Sequence, residues 1–325
     1  MNFRSLPFDG QPDVPLQPGW QRQIDAWRDL ICQCARKPSR GRIHALRSRT
    51  LRLRVALGYR LLEQAQDQAC ALVFKRWSKE GKKLRRALEP IRDADVYLAK
   101  LDGLRDTLGG APDGKLKVNP RCLREIDKVE SVLKKQRQEG ADTLAAVIDD
   151  RKKRLNRLSK EMEVALAPRM TSTIRSAAQV ALNVFGELAA ETRELDSSNL
   201  HAYRKRLKQA LYLAELSATA DPLAGRLAAI FRKIHSAVGE WHDWQSLALE
   251  ADRILPEHAR QNGLVPVLEK LAEEALQKAL GVCRGSAQRL LSSVDEVQNP
   301  LGRKPVASDD RGRHGEEHRL FRISS

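Results

Sequence analysis

The chain has 325 residues, which is long enough for one large domain or two smaller ones with a real hydrophobic core. Charged residues make up 31% and hydrophobic residues 42%, as in soluble folded proteins, and no apolar run reaches the roughly 18 residues of a membrane span. Lys and Arg number 58 against 42 Asp and Glu, and the net charge of +16 favours polyanionic partners such as nucleic acid or phosphate polymers.

Both ends of the chain are predicted to lack regular structure. Residues 1–19 contain several prolines and glycines and are expected to form a flexible lead. Residues 299–325 are polar, of mixed charge and poor in apolar side chains, so a disordered tail is expected. The start of the chain has no apolar segment typical of a secretory signal, and the five cysteines form no zinc-binding pattern. A cytoplasmic protein with reduced thiols is therefore expected.

Residues 20–298 are predicted to be almost entirely α-helical, because Leu, Ala, Arg, Lys and Glu dominate and long β-branched runs are missing. Residues 121–166 contain no proline and a single glycine, which indicates one or two long helices. Pro90 is expected to bend or restart its helix. Residues 196–199 offer candidate N-cap side chains for the next helix. A boundary near Pro168 divides the region into halves, about 20–167 and 168–298, each with enough helices for an antiparallel bundle.

A basic motif led by histidine occurs twice. Residues 43–49 read Ile-His-Ala-Leu-Arg-Ser-Arg, and residues 200–206 read Leu-His-Ala-Tyr-Arg-Lys-Arg. Each motif is followed by a second signature that ends in a basic residue and an aspartate, at residues 92–93 and 242–243. Two signatures repeated in the same order predict two similar halves. Their cationic side chains indicate one shared anion-binding surface.

Helical geometry places the cations of each motif on one side. An α-helix turns by about 100° per residue, so Arg47 lies at about 300° when His44 is set to zero. With His201 at zero, Arg204 lies at about 300° and Lys208 at about 340°. Arginine grips phosphate oxygens with its planar fork, lysine adds a mobile charge, and histidine can become cationic beside a bound phosphate. Aspartates 93 and 243 are expected to orient neighbouring basic side chains.

Other chemistries are less well supported by these residues. Histidine is a common metal ligand, but the four histidines at positions 44, 201, 235 and 242 stand among Arg and Lys, which repel a cation. Neither a strained nucleophile turn nor a glycine-rich phosphate loop is present. Aromatic residues make up only 5% and do not alternate with the basic residues, which disfavours single-stranded nucleic acid. Duplex binding through charge alone stays open.

The four signatures resemble those of the CHAD family, the conserved histidine α-helical domain. The matching residues are His44, Arg47, Arg52, Leu53, Arg54, Leu88, Arg92, Asp93, Asp95, Val96, His201, Arg204, Lys208, Tyr212, Val238, Gly239, His242 and Asp243. The resemblance covers residues 20–295 and implies two four-helix bundles related by pseudo-twofold symmetry. It also implies a basic groove that binds inorganic polyphosphate and an association with polyphosphate granules. The chain departs from the family pattern at Glu89, where a glycine is usual, and at Leu51, where an arginine is frequent.

The resulting hypothesis is an all-α, internally duplicated polyphosphate-binding module without a cofactor, a metal or catalysis of its own. The candidate polyphosphate-binding residues are His44, Arg47, Arg49, Arg52, Arg54, Lys82, Arg85, Arg86, Arg92, His201, Arg204, Lys205, Lys208, Arg232, His235 and His242. One alternative is a metal-dependent enzyme that processes polyphosphate or triphosphate, with Asp93, Asp95 and Asp243 as metal ligands. Another is a DNA-binding or granule-surface protein, and granule proteins are expected as further partners.

Overall fold

The computed structural model describes residues 17–62, 68–109, 120–166, 177–218 and 221–298, and all regular secondary structure in these ranges is helical. The helices are α1 (Gln17–Arg36), α2 (Arg40–Leu62), α3 (Gln68–Gly109), α4 (Pro120–Leu166), α5 (Ala177–Glu191), α6 (Leu200–Ser217), α7 (Pro222–Ile254), α8 (His258–Asn262) and α9 (Leu264–Gln298). The predicted all-α class is confirmed. Among the described helices none is long and apolar enough to cross a membrane.

Several predicted boundaries fall outside the described residues. These include the tail at 299–325, the division between halves near Pro168 and residues 1–16 of the lead. Residues 17–19, predicted to belong to the flexible lead, form the start of α1 instead. The predicted long helix at 121–166 is confirmed as the single helix α4. The helix that contains Pro90 does not restart there, because α3 continues from Gln68 to Gly109. The cores and the site described below lie in the compact unit that ends at Gln288.

The start of α6 uses only part of the predicted capping segment, whereas α7 begins with a side-chain cap of its own. Asn199 makes no side-chain capping bond, because its Oδ1 accepts from the backbone N–H of Asp196 at 3.0 Å. Asp196 accepts from the backbone N–H groups of Ser198 and Asn199 at 2.8 and 3.3 Å, and its backbone oxygen accepts from Leu200, so it caps the turn that leads into α6. At α7, Asp221 accepts from the backbone N–H of Leu223 at 2.8 Å, as expected of an N-cap.

Helices α1 to α4 share one hydrophobic core. Its buried side chains include Trp27, Ile31, Ile43, Leu53, Trp77, Leu84, Leu155 and Met162. The rings of Trp27 and Trp77 lie 5.6 Å apart, and both indole N–H groups are satisfied, by Thr50 at 2.8 Å and by Ser159 at 3.1 Å. Gly140 lets α4 approach α3 closely, because a Cβ there would lie 3.2 Å from Pro90 Cβ. Burial of each large side chain contributes about 1.5–3 kcal/mol to the stability of this core.

A second hydrophobic core lies where the C-terminal part of α3 and the N-terminal part of α4 pack against α7 and α9. Its buried side chains are contributed by α3, α4, α7 and α9 and include Leu101, Leu104, Ile126, Val129, Leu247, Ala251, Leu264 and Leu268. Phe185 of α5 and Phe231 of α7 are also buried, with ring centroids 5.3 Å apart. In addition, α2 contacts α6 and α3 contacts α7. These contacts bring together the helices that carry the repeated signatures.

Candidate anion-binding site

The two histidine motifs lie on helices that contact each other. His44 and Arg47 belong to α2, and His201 and Arg204 belong to α6, which packs against α2. The second signatures belong to α3 and α7, which also contact each other. Signatures that are far apart in the sequence therefore meet at one place in the fold. We refer to Arg47, Arg54, Arg85, Arg92, Arg204 and Lys208 as the central cluster.

Arg92 links the two signatures that end in aspartate. Its Nη1 donates to Asp93 at 2.8 Å, and its Nη2 donates across to Asp243 of α7 at 3.0 Å. Asp243 Oδ1 also lies 3.8 Å from Nδ1 of His242. Burial alone would raise the pKa of Asp243, but the nearby His242 and the charge and hydrogen bond of Arg92 lower it, so this carboxylate stays ionised. The aspartates thus hold basic side chains in place, in agreement with the orienting role predicted for them.

His201 and His242 form a stacked pair. Their ring centroids lie 5.1 Å apart with 24° between the ring planes, so α6 and α7 meet through the two imidazoles. Both His201 and His44 are exposed, but neighbouring side chains partly desolvate their imidazoles. This desolvation, followed by the charge of His242, lowers the pKa of His201. Desolvation and then the charge of Arg92 lower the pKa of His44 in the same way. Both histidines are therefore mainly neutral at pH 7 in the free protein.

Lys208 lies among the arginines of the central cluster. Burial, followed by the charges of Arg204, Arg47, Arg92 and Arg85, lowers its pKa to about 7. Burial, followed by the charges of Arg54 and Arg47, lowers the pKa of Arg85 to about 10. Both pKa values are lowered for the same reason: like charges are held close together in a partly desolvated environment. The free protein carries an excess of positive charge that its own carboxylates do not neutralise.

Several donors in and beside the central cluster are buried without an acceptor. Among the described residues, Arg54 Nε, Arg85 Nη1 and Arg204 Nε have no hydrogen-bond partner, and neither has Nε2 of the adjacent His235. Burial and the charges of Lys208 and Arg204 lower the pKa of His235 to about 3, so its imidazole is neutral. A buried polar group without a partner costs about 1–3 kcal/mol. Phosphate, with its several acceptor oxygens, is the type of ligand that would satisfy these donors.

Several cations of the site, including Arg47 of the central cluster, are paired within the protein. Arg52 Nε and Arg232 Nη2 donate to the two oxygens of Glu215, at 2.9 and 3.0 Å. The Arg52 guanidinium also lies 4.7 Å from the ring centroid of Tyr212. Arg47 donates to the backbone oxygen of Arg85 at 2.8 Å and to Glu89 at 3.2 Å. Glu89 and Glu215 are thus internal anions beside the site.

Further cations extend the site along α3 and α6. Partial desolvation, followed by the charges of Arg86, Arg54, Arg85 and Lys205, lowers the pKa of Lys82. Arg49 stands five residues after His44, about 140° around α2, and so faces away from His44. Helical geometry therefore separates Arg49 from the His44 side of α2.

Glu215 is the residue of this site that the sequence reasoning missed. It stands seven residues after Lys208, which is nearly two helical turns, so helical periodicity places both on one side of α6. A search for carboxylates on the basic face would have found it. Among the described residues there is no group of three or more His, Cys, Asp or Glu that could hold a metal ion.

The fold and the site together define an all-α protein whose cationic site lies on four contacting helices, α2, α3, α6 and α7. The family model of the CHAD domain matches residues 19–252, most of the chain. The protein belongs to the CHAD domain family, which is associated with polyphosphate-related function. Comparison with curated proteins and with solved structures gave no match.

Proposed function

We propose that this protein binds inorganic polyphosphate at the central cluster and does not itself catalyse a reaction. The observation that supports this proposal best is the set of buried guanidinium donors without an acceptor, on α2, α3 and α6. A linear polyanion presents many phosphate oxygens in succession, so one chain can satisfy several of these donors together. Their charges also add along the bound polymer, and the release of its counterions contributes further binding free energy.

A duplicated architecture would explain how the site is built. The order of signatures matches α2 and α3 of the first half with α6 and α7 of the second half. We propose that α1–α4 form one four-helix bundle and that α5, α6, α7 and α9 form the other, related by a pseudo-twofold axis. The shared core of α1–α4 and the packing of α5 against both α6 and α7 support this arrangement. The site would then lie between the two halves.

Polyphosphate binding would also determine where the protein is found in the cell. We propose that it associates with polyphosphate or other storage granules in the cytoplasm, because these hold phosphate polymer at high local concentration. Proteins on the granule surface would be further partners. A fluorescent fusion that stays diffuse in cells with abundant granules would contradict this part of the proposal.

The enzymatic alternative depends on acidic residues that are already paired. Asp93 and Asp243 accept from Arg92, and Asp95 accepts from Arg137 Nε at 2.6 Å. A divalent metal would have to displace these guanidinium groups, so no observation favours a metal-dependent enzyme. Release of phosphate from polyphosphate with added Mg²⁺ or Mn²⁺ would nevertheless establish such an activity.

The decisive experiment is calorimetric titration of the whole protein with long-chain polyphosphate at two salt concentrations, with duplex DNA in parallel. We expect tight binding of polyphosphate that weakens as salt rises, and much weaker binding of DNA. Equal affinity for both polymers would support the DNA-binding alternative, and no binding of polyphosphate would refute the proposal.

A pair of arginine variants on α6 tests where the polymer binds. Arg204→Gln removes a buried guanidinium of the central cluster, and we expect Kd to rise by about 10- to 100-fold, because a charge-assisted hydrogen bond is worth about 1.5–3 kcal/mol. Arg206→Gln is the matched control, because Arg206 pairs with Glu187 and Glu191 of α5 instead. We expect less than about a threefold change in Kd for the control. Equal losses in the two variants would mean that net charge, rather than this site, binds the polymer.

A further inference from the structure

Lys208 lies about one helical turn after Arg204 on α6, and α6 contacts both α2 and α7. The groups whose charges act on it are His44 and Arg47 of α2, Arg85 and Arg92 of α3, Arg204 of α6 and His235 of α7. Its ammonium lies 6.0 Å from the ring centroid of Tyr212. No carboxylate within the described ranges forms an ion pair with Lys208. The nearby carboxylates pair with arginines instead, Glu89 with Arg47 and the aspartates 93 and 243 with Arg92.

This environment opposes a charge on Lys208 in the free protein. A protonated ammonium would add a fifth positive charge beside four guanidiniums in a partly buried place, where water screens the charges less than at the open surface. With a pKa of about 7, Lys208 is about nine-tenths neutral at pH 8. Arginine keeps its proton under these conditions, so the lysine is the member of the cluster that can release its charge.

We propose that Lys208 is the proton-accepting and specificity-determining residue of the site, and that it takes up a proton from solvent when polyphosphate binds the surrounding arginines. The inference rests on the proposed function. The neutral amine binds one proton and becomes an ammonium, and no other bond forms or breaks. Phosphate charges beside the arginines make that ammonium favourable, and it then attracts the polymer in turn. A ligand that leaves the arginines unpaired leaves Lys208 neutral and gains less binding energy.

Proton uptake can be measured directly in the wild-type protein. Polyphosphate is titrated at pH 8 in several buffers with different ionisation enthalpies, and the slope of the observed enthalpy gives the number of protons bound. The contribution of Lys208 should be about 0.9 proton at pH 8 and about 0.1 at pH 6. Because the complex binds more protons than the free protein, affinity should fall as pH rises. For Lys208 alone this fall is about 100-fold between pH 6 and pH 9.

Two lysine variants on α6 separate the titration of Lys208 from its charge. Lys208→Met should abolish its share of the proton uptake and flatten the pH dependence of the affinity. Lys205→Met removes an exposed cation from the same helix. It should weaken binding at every pH while leaving the proton uptake unchanged.

The outcomes distinguish this inference from the function on which it rests. Wild-type protein that binds polyphosphate at pH 8 without taking up a proton would overturn the role of Lys208 and leave the proposed function intact. Undiminished proton uptake in Lys208→Met would also overturn it, because histidines would then be the acceptors. Failure of the wild type to bind polyphosphate at any pH would overturn the proposed function itself.

Discussion

Replacing Lys208 with methionine should stabilise the folded protein. Lys208 is partly buried among arginines, whereas methionine has a similar length and no charge. The variant therefore keeps most of the packing and removes a charge that the folded state disfavours. The change is unusual in that it should weaken the proposed function and strengthen the fold.

The magnitude follows from the pKa of Lys208 in the two states. Burial and like charges lower the pKa from 10.5 to about 7 on folding, which corresponds to about 4 kcal/mol of lost stability at pH 7. Between these two pKa values the unfolded chain binds more protons than the folded protein. Wild-type stability therefore rises with pH in this window, and the advantage of Lys208→Met should shrink to about 2 kcal/mol at pH 9.

Urea denaturation of both proteins at pH 7 and pH 9, monitored by circular dichroism, would measure this difference. Lys205→Met is the control, because Lys205 is exposed and its replacement should change the free energy of unfolding by no more than about 0.5 kcal/mol. The reasoning would be refuted by a Lys208→Met variant no more stable than the wild type at pH 7. An advantage that stays the same at pH 9 would refute it equally.

Two other predictions concern single contacts. Gly263→Ala would place a Cβ 2.8 Å from Glu125 Oε1, and Glu125 accepts from the backbone N–H of Leu264 at 2.6 Å at the start of α9. We expect a loss of about 1–3 kcal/mol in urea denaturation, against a neutral or stabilising effect of Gly281→Ala, where a Cβ meets nothing within 4 Å. In an NMR pH titration, His201 should titrate below 6.5 in the free protein, because partial desolvation and the charge of His242 lower its pKa. That pKa should rise with bound polyphosphate, and a pKa at or above 6.5 without ligand would contradict the environment described for the His201–His242 pair.

Much of the helical framework could be predicted because its signals are local. The absence of proline from residues 121–166 correctly predicted a long helix. Of the four residues predicted as candidate caps before α6, Asn199 makes no helix-capping bond, because its side chain hydrogen-bonds the preceding turn. The helix does not restart at Pro90, since α3 continues past it and the two ends of α3 pack in two separate cores.

The sequence by itself determined the all-α class, the family and the basic face of each motif helix, because helical periodicity and the repeated signatures depend only on nearby residues. Only the tertiary structure decided which faces meet. The bond from Arg92 to Asp243 joins residues that are far apart in the sequence, and so does the bond from Arg52 to Glu215. The pKa of Lys208 likewise depends on burial and on charges from neighbouring helices. Desolvation and Coulomb interactions act through space, so the chemistry of this site arises only when the helices pack together.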